Sequence, residues 1–259
     1  NMLEVNQLSI KFGGLVAVDH IDMTMAAGET VGIIGPNGSG KTTFFNLLSG
    51  IYRPTRGTIT LNGIPCQGLS PDKIFRLGMA RTFQNGRLFW NLNVLENVMI
   101  GLPAVRRLSL GRVLFDRRGE KIRQQAAMEE AVAVLNIFGD LLLGQVNKLA
   151  KDLPYADRRR LEICRALASN PQVILLDEPS AGMDAVETEK LMFDLQKVKE
   201  QRPDLSIIVV EHDMDFISGL VDRVMVFNYG KCLAQGRYDE VSRSPEVIKA
   251  YLGEEGQPC

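Results

Sequence analysis

TVGIIGPNGSGKTTFFNLL, residues 30–48, is the stretch on which the fold turns. An apolar β-type run leads into a glycine-rich turn, and from Lys41 the pattern becomes helical until Gly50 and Pro54 end it. The turn, GPNGSGKT at residues 35–42, fits G-x-x-x-x-G-K-[ST] in the strand-then-helix setting that the pattern requires. Glycines let the backbone curl until successive N–H groups point inward at phosphate oxygens, and the ensuing helix presents its positive end. Lys41 is placed to reach β- and γ-phosphates, and the Thr42 hydroxyl to ligate Mg²⁺. Residue frequencies alone produce this pattern in about one chain of this length in a hundred, and the strand-helix setting makes chance rarer still.

A metal bound to phosphates calls for a carboxylate at a neighbouring strand end. VILLDE supplies Asp177 there, read as metal-linked mostly through water, and beside it Glu178, able to take a proton from water attacking a γ-phosphate. Standing alone, Glu178 would be a surface acid opening a loop before Pro179. A second buried-type strand, SIIVVEHD, ends in His212, one of two histidines in the chain, positioned to contact the γ-phosphate or hold the attacking water. Gln84 in RTFQN, at the junction into a helical region, offers an amide to metal or water.

The 259 residues suffice for a sizeable core, and 45% hydrophobic with 24% charged residues is ordinary for a globular protein. Thirty basic against thirty-one acidic side chains give a formal charge of −1, which argues against a protein devoted to coating nucleic acid. No apolar run approaches the ~18 residues of a membrane span, and the N-terminus lacks a secretory pattern, so a cytosolic chain is expected. Cys66, Cys164, Cys232 and Cys259 have neither zinc-type nor disulfide-type spacing and are read as free thiols.

Short β-type runs, LEVNQLSI, IDMTM and GTITLNG with its Asn62-Gly63 turn, surround the glycine-rich loop. From about residue 86 to 167 helical spacing takes over, with Met128, Val132 and Leu135, and likewise Ala131, Leu135 and Phe138, at i, i+4, i+7. Arginines between Arg106 and Arg123 fit a solvated helix or loop, or contact with a partner or lipid headgroups. After Pro171 strand and helix alternate: VILLD, a helix with Leu191, Leu195 and Val198 on one face, SIIVVE, a hairpin through Asn228-Tyr229-Gly230, and a last helix near Ser244-Pro245. Residues 2–85 and 168–259 are therefore expected to form a nucleotide-binding core, interrupted by a helical subdomain over 86–167.

GPNGSGKTT, RTFQ, LLDEPSAGMD and VVEHD, in that order and with a helical insertion between the second and third, resemble the ATP-binding subunit of an ABC transporter over essentially the whole chain. The resemblance implies an α/β fold: a P-loop NTPase core with an antiparallel β subdomain and an inserted α-helical subdomain. It implies ATP and Mg²⁺ as ligands. Gly35, Pro36, Asn37, Gly38, Ser39, Gly40, Lys41, Thr42 and Thr43 would bind phosphate, and Thr42, Gln84 and Asp177 would serve the metal. Glu178, His212 and Lys41 would be catalytic. Phe12 matches the aromatic on which adenine stacks, with a core phenylalanine as the alternative. LPYAD, from Leu153 and Pro154 through Tyr155 and Ala156 to Asp157, stands where the family usually has LSGGQ, the signature that closes over ATP on the opposite subunit; Asp184 matches a second element lying across that interface. Pro154 removes the usual serine's hydroxyl and N–H, Ala156 adds a methyl where glycine lets backbone approach phosphate, and Asp157 replaces glutamine.

KFGGLVAVDHIDM, ARTFQNGRLFWNLNVLENVMIG and the ending VIKAYLGEE look like the larger ATPase subunit of branched-chain amino acid importers, with importers of urea or other amides alike in appearance. The partners so implied are a second ATPase subunit, a homologous partner in a heterodimer, integral membrane permease subunits, and indirectly an extracytoplasmic solute-binding protein, with no nucleic acid. The chain would lie on the cytoplasmic face of the membrane, held there by the permease. An ABC-type ATPase acting on DNA or ribosomes is the rival of another class, and it calls for coiled coils, added DNA-binding domains or tandem cassettes that this sequence lacks. A nucleotide switch without turnover is a further rival, opposed by Glu178 and mildly favoured by the altered signature.

Overall fold

A computed structural model describes residues 1–82, 88–103 and 117–252, with only the backbone at 117–121, 140 and 252. Gln84, Cys259 and the arginine-bearing stretch as far as residue 116 lie outside these residues. The chain divides into two compact units, Asn1–Arg81 with Gln172–Pro179 and Arg202–Cys259, and Thr82–Pro171 with Ser180–Gln201.

The first unit holds two sheets. β1 (Leu3–Phe12), β2 (Leu15–Met25), β4 (Arg56–Leu61) and β5 (Ile64–Pro65) form an antiparallel sheet in the order β2-β1-β4-β5. Both outer strands turn back on two-residue loops. Gly13-Gly14 joins Phe12 to its partner Leu15, so β1 and β2 reach further than the runs LEVNQLSI and IDMTM suggest. Asn62 and Gly63, with φ of 48° and 77°, join Leu61 to its partner Ile64 in the left-handed conformation that such hairpin turns demand.

The second sheet has the order β10-β9-β3-β8-β7-β6, built from β3 (Thr30–Ile34), β6 (Met79–Arg81), β7 (Val173–Asp177), β8 (Ser206–Val210), β9 (Arg223–Asn228) and β10 (Lys231–Gly236). It is parallel except at the β9/β10 edge. All five residues of β3, β7 and β8 are buried, which is why these strands read as continuous apolar runs rather than alternating ones. Helix α1 (Lys41–Leu48) contributes Phe44, Phe45, Leu47 and Leu48 to a core shared with Leu3, Leu8, Ile33, Leu175 and Phe227. Burial of each such side chain stabilises by roughly 1.5–3 kcal/mol, so the phosphate-type loop leads into a helix anchored on both sheets. Short helices α2 (Pro71–Arg76), before β6, and, later in the chain, α8 (Met214–Leu220), α9 (Tyr238–Val241) and α10 (Pro245–Leu252) complete this unit.

The second unit is helical: α3 (Val94–Gly101), α4 (Arg117–Ile137), α5 (Asp140–Leu143), α6 (Tyr155–Ala168) and α7 (Ala185–Gln201). Asn93 and Glu96 form a reciprocal cap at the start of α3. Within α3, fully buried Asn97 donates to the carbonyls of Phe89, Leu92 and Asn93 and accepts from the Phe89 N–H, tying the preceding loop to the helix. α3 crosses α6 closely enough that a Cβ on Gly101 would stand 2.4 Å from the Arg165 carbonyl oxygen. On α4 Ala131 and Leu135 are buried, as is Phe138 just past its end, whereas Met128 and Val132 are exposed. Leu191, Leu195 and Val198 of α7 are buried, as their spacing predicts.

Candidate active site

β3, β8 and β7 lie side by side, and their register sets Ile33 opposite Val210 and Val210 opposite Asp177. Their C-terminal ends thus finish abreast, and the loops that leave them emerge together at one edge of the sheet, where parallel sheets bind ligands. After β3 comes the glycine-rich loop, after β7 Glu178, after β8 Glu211 and His212. A cleft of about 380 Å³ opens there, lined by residues 37–43, Glu178 and His212, and also by Leu15, Val16, Ala17, Tyr229 and Gly230. Its size falls in the range of small-ligand sites.

Two glycines of the loop are required by close approach. A Cβ on Gly35 (φ 148°) would fall 2.1 Å from the Phe227 carbonyl oxygen, and one on Gly40 (φ 105°) 2.5 Å from that of Ala17. The Lys41 ammonium donates to the carbonyls of Gly35 and Pro36, at 2.6 and 2.9 Å, so it arches over its own loop. The buried hydroxyl of Ser39 has no protein partner among the described residues. Thr42 is exposed at the start of α1, Thr43 half-buried.

Asp177 is buried, and its Oδ2 accepts from Nη2 of Arg81 at 2.7 Å. Glu178 next to it has φ of 46°, left-handed for a residue with a Cβ, held by its N–H on the Val210 carbonyl at 2.9 Å. Its Oε1 stands 3.0 Å from Nε2 of His212. Asp213 caps α8 by accepting from the Phe216 N–H at 2.9 Å, which fixes the backbone immediately after His212. Lys41, Glu178 and His212 thus meet in one cleft. A carboxylate and an imidazole in contact form an acid–base pair able to hold a water and accept its proton.

Phe12 is 43% exposed and packs edge-on against Tyr52, with ring centroids 5.1 Å apart; it is not among the residues lining the cleft. Tyr229 and Gly230 do line it, although the sequence marks them only as a hairpin turn. The turn is tied to the loop, for the Gly230 N–H donates to the Ser39 carbonyl and the Gly230 carbonyl accepts from the Asp19 N–H. No periodicity signals that pairing, because it depends on β9 lying next to β3.

In the helical unit, LPYAD leads into α6. Pro154 and Tyr155 are exposed, whereas Leu153, Ala156 and Asp157 are buried. Asp157 accepts from Nε2 of Gln145 at 2.9 Å and pairs with Arg160 at 3.4 Å. The Tyr155 hydroxyl donates to the Ala181 carbonyl at 2.8 Å, and its ring bears on Gly182 and Arg159. Asp184 is exposed and caps α7 in a reciprocal pair with Glu187.

A family model described as ABC transporter matches residues 18–181, more than half the chain. The chain belongs to the ABC transporter family. A second model, described as branched-chain amino acid ATP-binding cassette transporter, matches residues 231–257 of this ABC cassette. It is 40% identical over 253 residues to the high-affinity branched-chain amino acid transport ATP-binding protein LivG of Salmonella typhimurium, with 98% of each chain covered. It is 38% identical, again over 253 residues and 98% of each, to BraF of Pseudomonas aeruginosa, which carries the same description. Among solved structures it resembles a nucleotide-free ATP-binding cassette from an ABC transporter, with TM-score 0.81, 26% identity and 96% and 98% coverage. The ADP conformation of an ABC transporter cassette is matched with TM-score 0.82 at 26% identity, over 97% of this chain and 98% of that one. The α/β core with an antiparallel sheet and a helical unit is the architecture the sequence resemblance implies.

Proposed function

We propose that this chain is the ATP-binding and hydrolysing subunit of an importer for branched-chain amino acids. The observation that carries the reading is end-to-end similarity to LivG and BraF, joined to a cleft in which Lys41, Glu178 and His212 converge. The residues fit a nucleotide. The loop glycines exclude side chains from the cradle, Lys41 supplies the cation for phosphate, and the Ser39 hydroxyl is a buried polar group without a protein partner among the described residues. Thr42 and Asp177 carry oxygen donors of the kind Mg²⁺ takes, and together with Gln84, which lies outside the described residues, they would hold the ion, which when bound would neutralise phosphate charge.

In this reading Glu178 accepts a proton from the attacking water while His212 holds that water in line. The new bond joins the water oxygen to the γ-phosphorus, the bond to the β–γ bridging oxygen breaks, and ADP leaves with the electron pair. LPYAD and Asp184 of a second ATPase subunit would cover the nucleotide. Permease subunits would hold the pair at the cytoplasmic face of the membrane, and an extracytoplasmic binding protein would deliver the solute. Among the described residues no helix is long and apolar enough to cross a membrane, and in this reading the passage belongs to other subunits.

Glu178→Gln tests the chemistry. We expect nucleotide retention within about twofold of the parent and hydrolysis lowered by about 10²–10³; unchanged hydrolysis removes Glu178 from the mechanism. Uptake of labelled leucine by vesicles holding the chain with its co-purifying membrane subunits tests the cargo. Accumulation driven by ATP and competed by isoleucine and valine, but not by urea, is the expected result.

A further inference from the structure

We propose that Arg81 is a positioning residue that locks the Asp177 carboxylate against α1, so that the two groups read as metal ligands, Thr42 and Asp177, keep a fixed relation. The proposal rests on the nucleotide reading above and concerns how its metal site is held. Arg81 ends β6, a three-residue strand at the sheet's edge. Its register partner is Leu175, two residues before Asp177. The Arg81 and Asp177 side chains are 7% and 4% exposed.

One guanidinium serves two elements. Nη2 donates to Asp177 Oδ2 of β7 at 2.7 Å, while Nη1 donates to Asn46 Oδ1 at 2.7 Å and to Ser49 Oγ at 2.8 Å. The Phe45 ring of α1 lies 5.6 Å from its central carbon. Thr42, Asn46 and Ser49 recur at i, i+4 and i+7, which puts Thr42 and Asn46 in one row along α1 with Ser49, the residue that caps its end, continuing it. Arg81 therefore grips the row that begins with Thr42 and, with the other arm of the fork, the acid at the end of β7.

Stability alone is a poor reason for this arrangement, since a buried ion pair adds little over apolar packing of the same volume. Geometry is a better one: a planar guanidinium directs its donors at fixed angles, which a lysine ammonium does not. Groups that orient a metal ligand in this way commonly change metal affinity by about 10–100-fold when removed.

The test titrates Mg²⁺ against the full-length chain holding a fluorescent methylanthraniloyl-ATP probe, and compares it with probe binding in EDTA. For Arg81→Lys and Arg81→Gln we expect the Mg²⁺ midpoint to rise about tenfold, with metal-free probe binding within about twofold of the parent. Ser49→Ala, which removes one anchor of Arg81 and leaves Asp177 untouched, should shift the midpoint the same way by about threefold. Midpoints unchanged in the folded variants, or equal losses with and without Mg²⁺, would overturn the proposal by reducing Arg81 to a packing role. Should the Arg81 variants not fold, an unshifted midpoint in Ser49→Ala overturns it by itself. A parent chain that binds no probe under any condition overturns the nucleotide reading first, and the proposal with it.

Discussion

Glu178 stands in a conformation that costs an L-residue energy. Its φ of 46° is left-handed, its N–H is pinned to the Val210 carbonyl, and its carboxylate meets His212. Asparagine, as at Asn62, tolerates this region through its short polar side chain; a glutamate gains no such relief. On the proposed reading the strain is retained because the side chain serves the hydrolytic site. A stability measurement separates the two roles. At an ordinary helical or strand position glycine is less stable than alanine, but at a left-handed position the order reverses. Glu178→Gly should therefore unfold at higher denaturant than Glu178→Ala, by about 1 kcal/mol, although on the proposed reading both lose most hydrolysis. Equal midpoints, or alanine ahead of glycine, would mean that the backbone at 178 is not strained.

At the scale of elements, legibility depends on whether the signal is local. The Asn62-Gly63 hairpin, the strand-loop-helix over residues 30–48 and the buried face of α7 all rest on neighbours in sequence, and all are legible there. α4 shows the limit. The series through Met128 and Val132 and the series through Ala131 and Phe138 share Leu135, so spacing alone allows two overlapping faces, and packing buries only the second. The grip of Arg81 on α1 and β7 and the tie between Gly230 and Ser39 are invisible in the sequence, because strand order, not spacing, brings those residues together. α6 has a similar hidden content, for its arginines RRR look like a solvated charge run. Arg159 and Arg160 are instead buried, pairing with Glu162 at 3.3 Å and with Asp194 of α7 at 2.9 Å. Burial pushes the Glu162 carboxyl above its ordinary 4.5, against the opposing pull of Arg159. A raised folded value means that the native state holds the proton more tightly than the unfolded chain does. The contribution is then fully present below about pH 4.5 and is lost as pH climbs through the raised value. Urea midpoints at about pH 4 and about pH 7 should show the parent losing ground to Glu162→Gln as pH rises. A gap that is constant, or that moves in the parent's favour, would show that Arg159 outweighs burial.

For the whole molecule, the division into two units sets a question of assignment. The cleft with Lys41, Glu178 and His212 belongs to the first unit and the LPYAD start of α6 to the second. On the proposed reading a chain binds nucleotide with its own first unit and lends its second unit to a neighbour's nucleotide, so one substitution should separate the two duties. Pro154 suits the purpose, since it is exposed and stands at the N-cap of α6 with no side-chain cap bond. A glutamate there places negative charge at the positive end of the helix, a change that favours the helix by about 0.3–1 kcal/mol and gives the fold no reason to fail. The same charge opposes any phosphate brought up to that helix start. Pro154→Glu should thus leave nucleotide binding by the isolated chain within about twofold of the parent, because its own cleft is unaltered, yet lower hydrolysis by the assembled transporter at least ~10-fold. Fluorescent-nucleotide binding to the purified chain and phosphate release by the reconstituted complex measure the two quantities separately. Parallel loss of both would mean that α6 serves the nucleotide of its own chain, and unchanged hydrolysis would remove LPYAD from the site altogether.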